Sequence, residues 1–198
     1  TEHGFVAMVP RTNGGADLVW LDGRQAADTT RPFAMALVGG SIDRNGNALA
    51  ETMLDARTCD CCQTALGRTA EGLIAVYRDR TESEIRDISV VRQINGRWTT
   101  PSRLAEDGWL HRQCPVNGPS LSASGRRVVV AWFTGADGTS RVKLIRSENA
   151  GATFGRTVQV DDGSPLGRTD IELLPDGSAL VTWLELVGNL AEWRVKRF

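Results

Sequence analysis

The sequence predicts an all-β protein, a β-propeller of four-stranded antiparallel blades with about four blades in its 198 residues, and three observations predict it. Short Val, Ile, Leu and Thr runs are separated by turn residues, apolar alternation at period two recurs, as in Arg127-Val128-Val129-Val130-Ala131-Trp132, and argues for strands, and no long amphipathic helix can be drawn. One plan recurs four times: an apolar strand, a Gly- or Asp-rich turn, and a second strand ending in an aromatic. The anchor aromatics Trp20, Tyr77, Trp132 and Trp183 fall 57, 55 and 51 residues apart, which leaves room for about four strands per repeat, the plan of a propeller blade.

The first repeat runs through Phe5-Val6-Ala7-Met8-Val9, turns at Asn13-Gly14-Gly15 and returns as Leu18-Val19-Trp20. The second uses Thr64-Ala65-Leu66, Glu71-Gly72 and Ile74-Ala75-Val76-Tyr77. In the same repeat a strand over 84–91 leads to Asn95-Gly96 and Trp98, a hairpin whose type I′ turn needs positive φ at both central residues. The third uses Ser120-Leu121-Ser122, Ser124-Gly125 and residues 128–132. The fourth uses Ile171-Glu172-Leu173-Leu174, Pro175-Asp176-Gly177 and residues 179–183, then a strand over 191–198. The blades are expected at 1–58, 59–112, 113–166 and 167–198 of one domain.

A net charge of -1 gives no electrostatic footprint for nucleic acid or an anionic membrane. No apolar run reaches membrane-spanning length. No phosphate loop, dinucleotide fingerprint or serine nucleophile elbow is present. The chain starts Thr1-Glu2-His3, so the missing leader says nothing about secretion.

Unusual residues gather where first strands begin and second strands end, which in a propeller is one face. Leading into the repeats are His3-Gly4, Cys59-Asp60-Cys61-Cys62-Gln63, Cys114-Pro115-Val116-Asn117-Gly118 and Gly167-Arg168-Thr169-Asp170. Leaving them are Asp22-Gly23-Arg24 and Arg78-Asp79-Arg80, followed by Glu84-Ile85-Arg86-Asp87. Such a funnel suits an anionic or hydroxylated ligand, although Arg-Asp strings also form plain surface ion pairs. The four cysteines admit three readings. An even count favours two disulfides in an extracytoplasmic protein. A thiolate site for Zn or Cu(I), with His3 or His111, is the second, and buried free thiols are the third. Trp109, in the loop before Cys114, either packs between blades or stacks on a sugar.

Ser147-Glu148-Asn149-Ala150-Gly151-Ala152-Thr153-Phe154 resembles the Asp-box (BNR repeat) of the sialidase superfamily, Ser-x-Asp-x-Gly-x-Thr-aromatic, with Asn149 in place of Asp. A short polar side chain holding nearby backbone and a Gly at positive φ suit a tight turn. In that family the box is structural and lies away from the active face. The resemblance implies a six-bladed ring, hence about two further blades upstream and a closing strand. A lone array would need self-association or closure as a four-bladed ring.

The resemblance also implies an exo-α-sialidase-like glycosidase for an acidic sugar, with three arginines on its carboxylate. Candidates are Arg24, Arg57, Arg78, Arg80, Arg86 and Arg168, with Arg57, Arg78 and Arg168 favoured; Asp22, Asn117 and Asp170 stand with them. The family's Tyr nucleophile and assisting Glu would correspond to Tyr77, the only tyrosine, and Glu84. The repeat itself reads Tyr77 as a core aromatic. Asp22, Asp60, Asp79 and Asp87 are the carboxylates available as acid or base. A non-catalytic glycan- or protein-binding propeller and an envelope metal-binding propeller are the alternatives.

Overall fold

The computed structural model describes residues 2–28, 30 and 33–198. Among these the chain forms sixteen strands, two short 3-10 turns at Arg24–Ala27 and Ala136–Gly138, and no α-helix. No helix among them is long and apolar enough to cross a membrane.

The strands make four antiparallel sheets in chain order, none closed on itself. The first comprises β1 (His3–Pro10), β2 (Ala16–Asp22), β3 (Met35–Ile42) and β4 (Thr52–Thr58). The second comprises β5 (Ala65–Thr69), β6 (Gly72–Arg78), β7 (Ile88–Ile94) and β8 (Arg97–Trp98), with β9 (Ser102–Arg103) also on β7. The third holds β10 (Ser120–Ser124), β11 (Arg127–Thr134), β12 (Arg141–Ser147) and β13 (Val158–Gln159). The fourth holds β14 (Pro165–Leu173), β15 (Ala179–Val187) and β16 (Leu190–Arg197). Each sheet is an up-and-down meander, and first strands adjoin in succession, β1 by β5, β5 by β10 and β10 by β14.

Burial explains the sequence pattern. On β6, Leu73, Ala75 and Tyr77 pack against Val19, Leu21 and Leu37 of the first sheet. The intervening Ile74 and Val76 pack against Val128, Val130 and Trp132 of the third. On β11, Val129, Ala131 and Phe133 then meet Ile171, Val181 and Trp183 of the fourth. Strands with both faces covered read as unbroken apolar runs. By contrast β14 alternates buried and exposed along its whole length, because only one face of the fourth sheet has a neighbour. On its outer strand β16, Trp193 and Val195 are exposed.

The anchor aromatics lie on the second strands. Tyr77, Trp132 and Trp183 are buried, while Trp20 is half-buried. Each puts its one polar hydrogen on a carboxylate. Trp20 Nε1 donates to Asp22 (3.0 Å), Tyr77 Oη to Asp55 (2.5 Å), Trp132 Nε1 to Asp107 (2.7 Å) and Trp183 Nε1 to Glu185 (2.7 Å). A buried donor needs such a partner.

Turn chemistry follows the residues. Asn95 and Gly96 both have positive φ (50° and 76°) between β7 and β8. In the 147–154 turn, Ser147 Oγ accepts from the amides of Asn149 and Gly151, and Asn149 Oδ1 accepts from Thr153 N. One expected strand is shorter: β7 begins at Ile88, not at Glu84. Glu84 is left-handed (φ 64°), and the backbone of 84–86 bonds to Trp109 and His111 instead of a strand partner.

Candidate functional site

The loops leading into β5 and β10 lie side by side. The Gln63 side chain pairs with Gly118 like a second backbone, donating to its carbonyl (3.2 Å) and accepting from its amide (2.8 Å). A Cβ on Gly118 would stand 2.0 Å from the Gln63 carbonyl oxygen, so only glycine permits this approach. Cys61 and Cys114 join the same two loops by a disulfide.

Cys59 and Cys62 are free and buried, so the expected second disulfide is absent. In an extended segment Cys59 and Cys61 would lie on one side and Cys62 on the other. A turn at Asp60-Cys61 breaks that alternation and brings all three Sγ atoms within 4.8 Å of one another. Cys59 Sγ lies 3.8 Å from Cys61 Sγ. The Cys62 thiol bonded to Cys59 outweighs burial and, with Arg86 and Arg78 nearby, holds Cys59 at about 7. Burial, then the Cys59 partner, pushes Cys62 up. His3 does not join the thiols. Its Nδ1 lies 3.5 Å from Asp22, a residue already engaged by Arg24.

The arginines sort into two kinds. Arg78 was expected to face a ligand, but it is 1% exposed. Its guanidinium donates to the carbonyls of Asn117 (2.7 Å), Phe133 (2.6 Å) and Arg86, and lies 4.8 Å from the Trp109 ring centroid. It is a staple between sheets, because β6 ends beneath the loops of the third sheet and leaves the side chain no path to solvent. Arg57, Arg80 and Arg86 instead converge on one carboxylate, that of Glu84. Their distances to it are 3.3, 3.1 and 2.8 Å. Arg80 also holds Asp60 at 2.8 Å, and its hydrogen bonds lead the effects that keep Glu84 below the usual carboxylate range once its own burial is overcome. Both acids are partly exposed.

The remaining candidates lie around this centre. Tyr77 is buried as the core aromatic of the second sheet, and burial followed by Asp55 raises its hydroxyl. Glu84 belongs to the arginines and not to Tyr77. Burial, then Asp55, raises Asp79, which accepts from Ser89 Oγ at 3.2 Å. Asp87 is buried and accepts from the amides of Gly108 and Trp109. Asp22 is likewise buried, between Trp20 and Arg24. Asn117 Oδ1 accepts from Arg168 N, and exposed Arg168 donates to the Val116 carbonyl, so this pair ties the third and fourth sheets together. Asp170 is exposed and accepts from Ile171 N. Trp109 is buried and packed edge-on against Phe133. Asp55 carried no sequence signal, since it sits mid-strand on β4 and acquires its role only by meeting Tyr77.

Two cavities open near these groups. One of about 450 Å³ is bounded by first strands of all four sheets and includes Gln63, Thr169 and Asp170. The other, about 420 Å³, lies between Trp109, His111, Cys114 and Phe133. A third, about 500 Å³, involves Pro10, Gly67 and Ala123, toward the far ends of the first strands, away from the cysteines.

No protein-family model matches the sequence, and neither does any curated protein. Solved structures do resemble the fold. An alpha-L-arabinofuranosidase from Podospora anserina, in complex with cellotriose, aligns with 98% of this chain at TM-score 0.54 and 12% identity. A GH32 beta-fructofuranosidase from Bombyx mori aligns with 99% at TM-score 0.51 and 13% identity. The chain spans 63% and 45% of those two proteins. At such identity the likeness is one of fold.

Proposed function

We propose that the four sheets are blades of a β-propeller, close to the expected divisions 1–58, 59–112, 113–166 and 167–198 but with the fourth beginning at Pro165, and that the protein acts on a glycan carrying an acidic group at the face where the first strands begin. Successive meanders with adjoining first strands support the propeller. The two solved structures named above are carbohydrate-active enzymes, which supports a glycan ligand by analogy of fold. The observation that carries the reading is the convergence of Arg57, Arg80 and Arg86 on the partly exposed carboxylate of Glu84. Three guanidinium forks around one carboxylate form a site whose chemistry a sugar carboxylate shares, and Glu84 occupies it in the free protein.

Hydrolysis needs one carboxyl that keeps its proton and one that stays ionised. Asp79, raised by burial, suits the first role; Glu84 and Asp60, both held by Arg80, suit the second. The exposed Trp193 and Val195 of β16 support further sheets, from the same protein or a second copy, as the completion of the ring. The Cys61–Cys114 disulfide supports an extracytoplasmic setting.

The test is a panel of acidic and neutral glycosides with the wild type, Arg57→Ala and Glu84→Gln. The reading expects turnover of acidic glycosides only, lost in both variants. Binding without turnover, weakened by Arg57→Ala, would assign a glycan-binding propeller instead. The absence of both turnover and binding would sink the glycan reading.

A further inference from the structure

Three cysteine sulfurs gather at one point of this molecule, and a fourth is bonded to one of them. Cys59, Cys61 and Cys62 have their Sγ atoms within 4.8 Å of one another, and Cys114 is bonded to Cys61. The Cys59–Cys61 separation of 3.8 Å matches the edge of a tetrahedron with metal–sulfur bonds of about 2.3 Å, which is about 3.8 Å. Cys59 and Cys62 are buried, whereas Cys114 is exposed on the wall of the 420 Å³ cavity beside Trp109, so an ion has a way in.

The surroundings carry the opposite charge. Arg78 is buried, spends its guanidinium on three carbonyls and an indole face, and forms no ion pair among the described residues. A buried charge left unpaired is costly. The positive charge of Arg78 acts on both Cys59 and Cys62, and that of Arg86 on Cys59. Four thiolates around a divalent ion carry a net negative charge that these two arginines complement.

We propose that Cys59, Cys61, Cys62 and Cys114 form a site for one soft d10 cation, zinc or copper(I), open when the Cys61–Cys114 disulfide is reduced and closed while it stands. Thiolate-only donors select such ions. A dithiol reductant opens the site. Its first thiolate attacks exposed Cys114 and expels the Cys61 thiolate; its second thiol resolves the mixed disulfide, leaving Cys114 reduced and the reductant as a cyclic disulfide. The ion then replaces the thiol protons, which pass to water. This site is independent of the glycan reading.

The experiment titrates anaerobically reduced, desalted protein with Zn²⁺ and, separately, Cu⁺ against chromophoric chelators, with Co²⁺ as a spectroscopic stand-in. One equivalent is expected, with thiolate-to-Co²⁺ charge-transfer absorption, and the non-reduced protein takes up none. Cys59→Ser and Cys62→Ser weaken binding by more than about 100-fold, the upper range for losing a mere supporting residue. Cys114→Ser, at an exposed position, binds more weakly than the reduced wild type and no longer depends on reductant. His3→Ala changes nothing. The proposal falls if the reduced protein takes up no stoichiometric ion, if the disulfide form binds equally well, or if Cys114→Ser matches the reduced wild type.

Discussion

The guanidinium of Arg78 lies 4.8 Å from the ring centroid of Trp109, deep between the second and third sheets. Trp109 in turn packs against Phe133 of β11, whose carbonyl accepts from Arg78, so one side chain bonds to and stacks on the same structural unit. The indole face and three carbonyls take the place of a carboxylate for this buried cation. The arrangement makes Arg78 the joint between the sheets and gives the cysteine loops a positive floor.

Removal of that joint is expected to be severe. Arg78→Met leaves the carbonyls of Asn117, Arg86 and Phe133 without their donor and is expected to cost about 3–5 kcal/mol in urea unfolding. Arg78→Lys, a point charge in place of a planar fork, recovers only part. A loss near zero would show that the contacts are incidental.

Acid should find Asp22. Burial alone would raise its carboxyl, but hydrogen bonds from Arg24 and Trp20 outweigh this and hold it at about 2, against an ordinary 3.8. The folded pKa is depressed, so its stabilisation is complete above the unfolded value and is lost as pH falls from about 5 toward 2. Urea midpoints of the wild type and Asp22→Asn should therefore converge over that window. A constant gap would assign the acid sensitivity to other groups.

The 147–154 turn rests on two side chains. Ser147→Ala leaves the amides of Asn149 and Gly151 without their acceptor and is expected to cost about 1–3 kcal/mol. Asn149→Asp keeps the acceptor for Thr153 N and should stay within about 0.5 kcal/mol of the wild type in the same unfolding assay.

Tyr77→Phe separates structure from chemistry. It removes the bond to Asp55 and is expected to lower stability by about 1.5–3 kcal/mol, as for hydrogen bonds to charged groups. Any glycoside turnover should keep its kcat, unlike that of Glu84→Gln. A kcat collapse in folded Tyr77→Phe would restore tyrosine to the mechanism.

What the sequence determined by itself is the local part. The all-β class, the four recurring hairpins with Trp20, Tyr77, Trp132 and Trp183 on second strands, the Asn95-Gly96 turn and the Ser147–Asn149 turn all follow from period, positive φ and short side chain–backbone bonds. The tertiary structure alone decided which arginines are buried and which meet a carboxylate. Arg78 and Arg80 are neighbours in an Arg-Asp-Arg string, yet one is a staple and the other holds Asp60 and Glu84. It also decided which cysteines bond, because one turn at Asp60-Cys61 brings Cys59, Cys61 and Cys62 together and Cys114 arrives from 53 residues away. A polar side chain's role depends on the partners that sheet packing brings to it from distant loops, and no local rule carries that information.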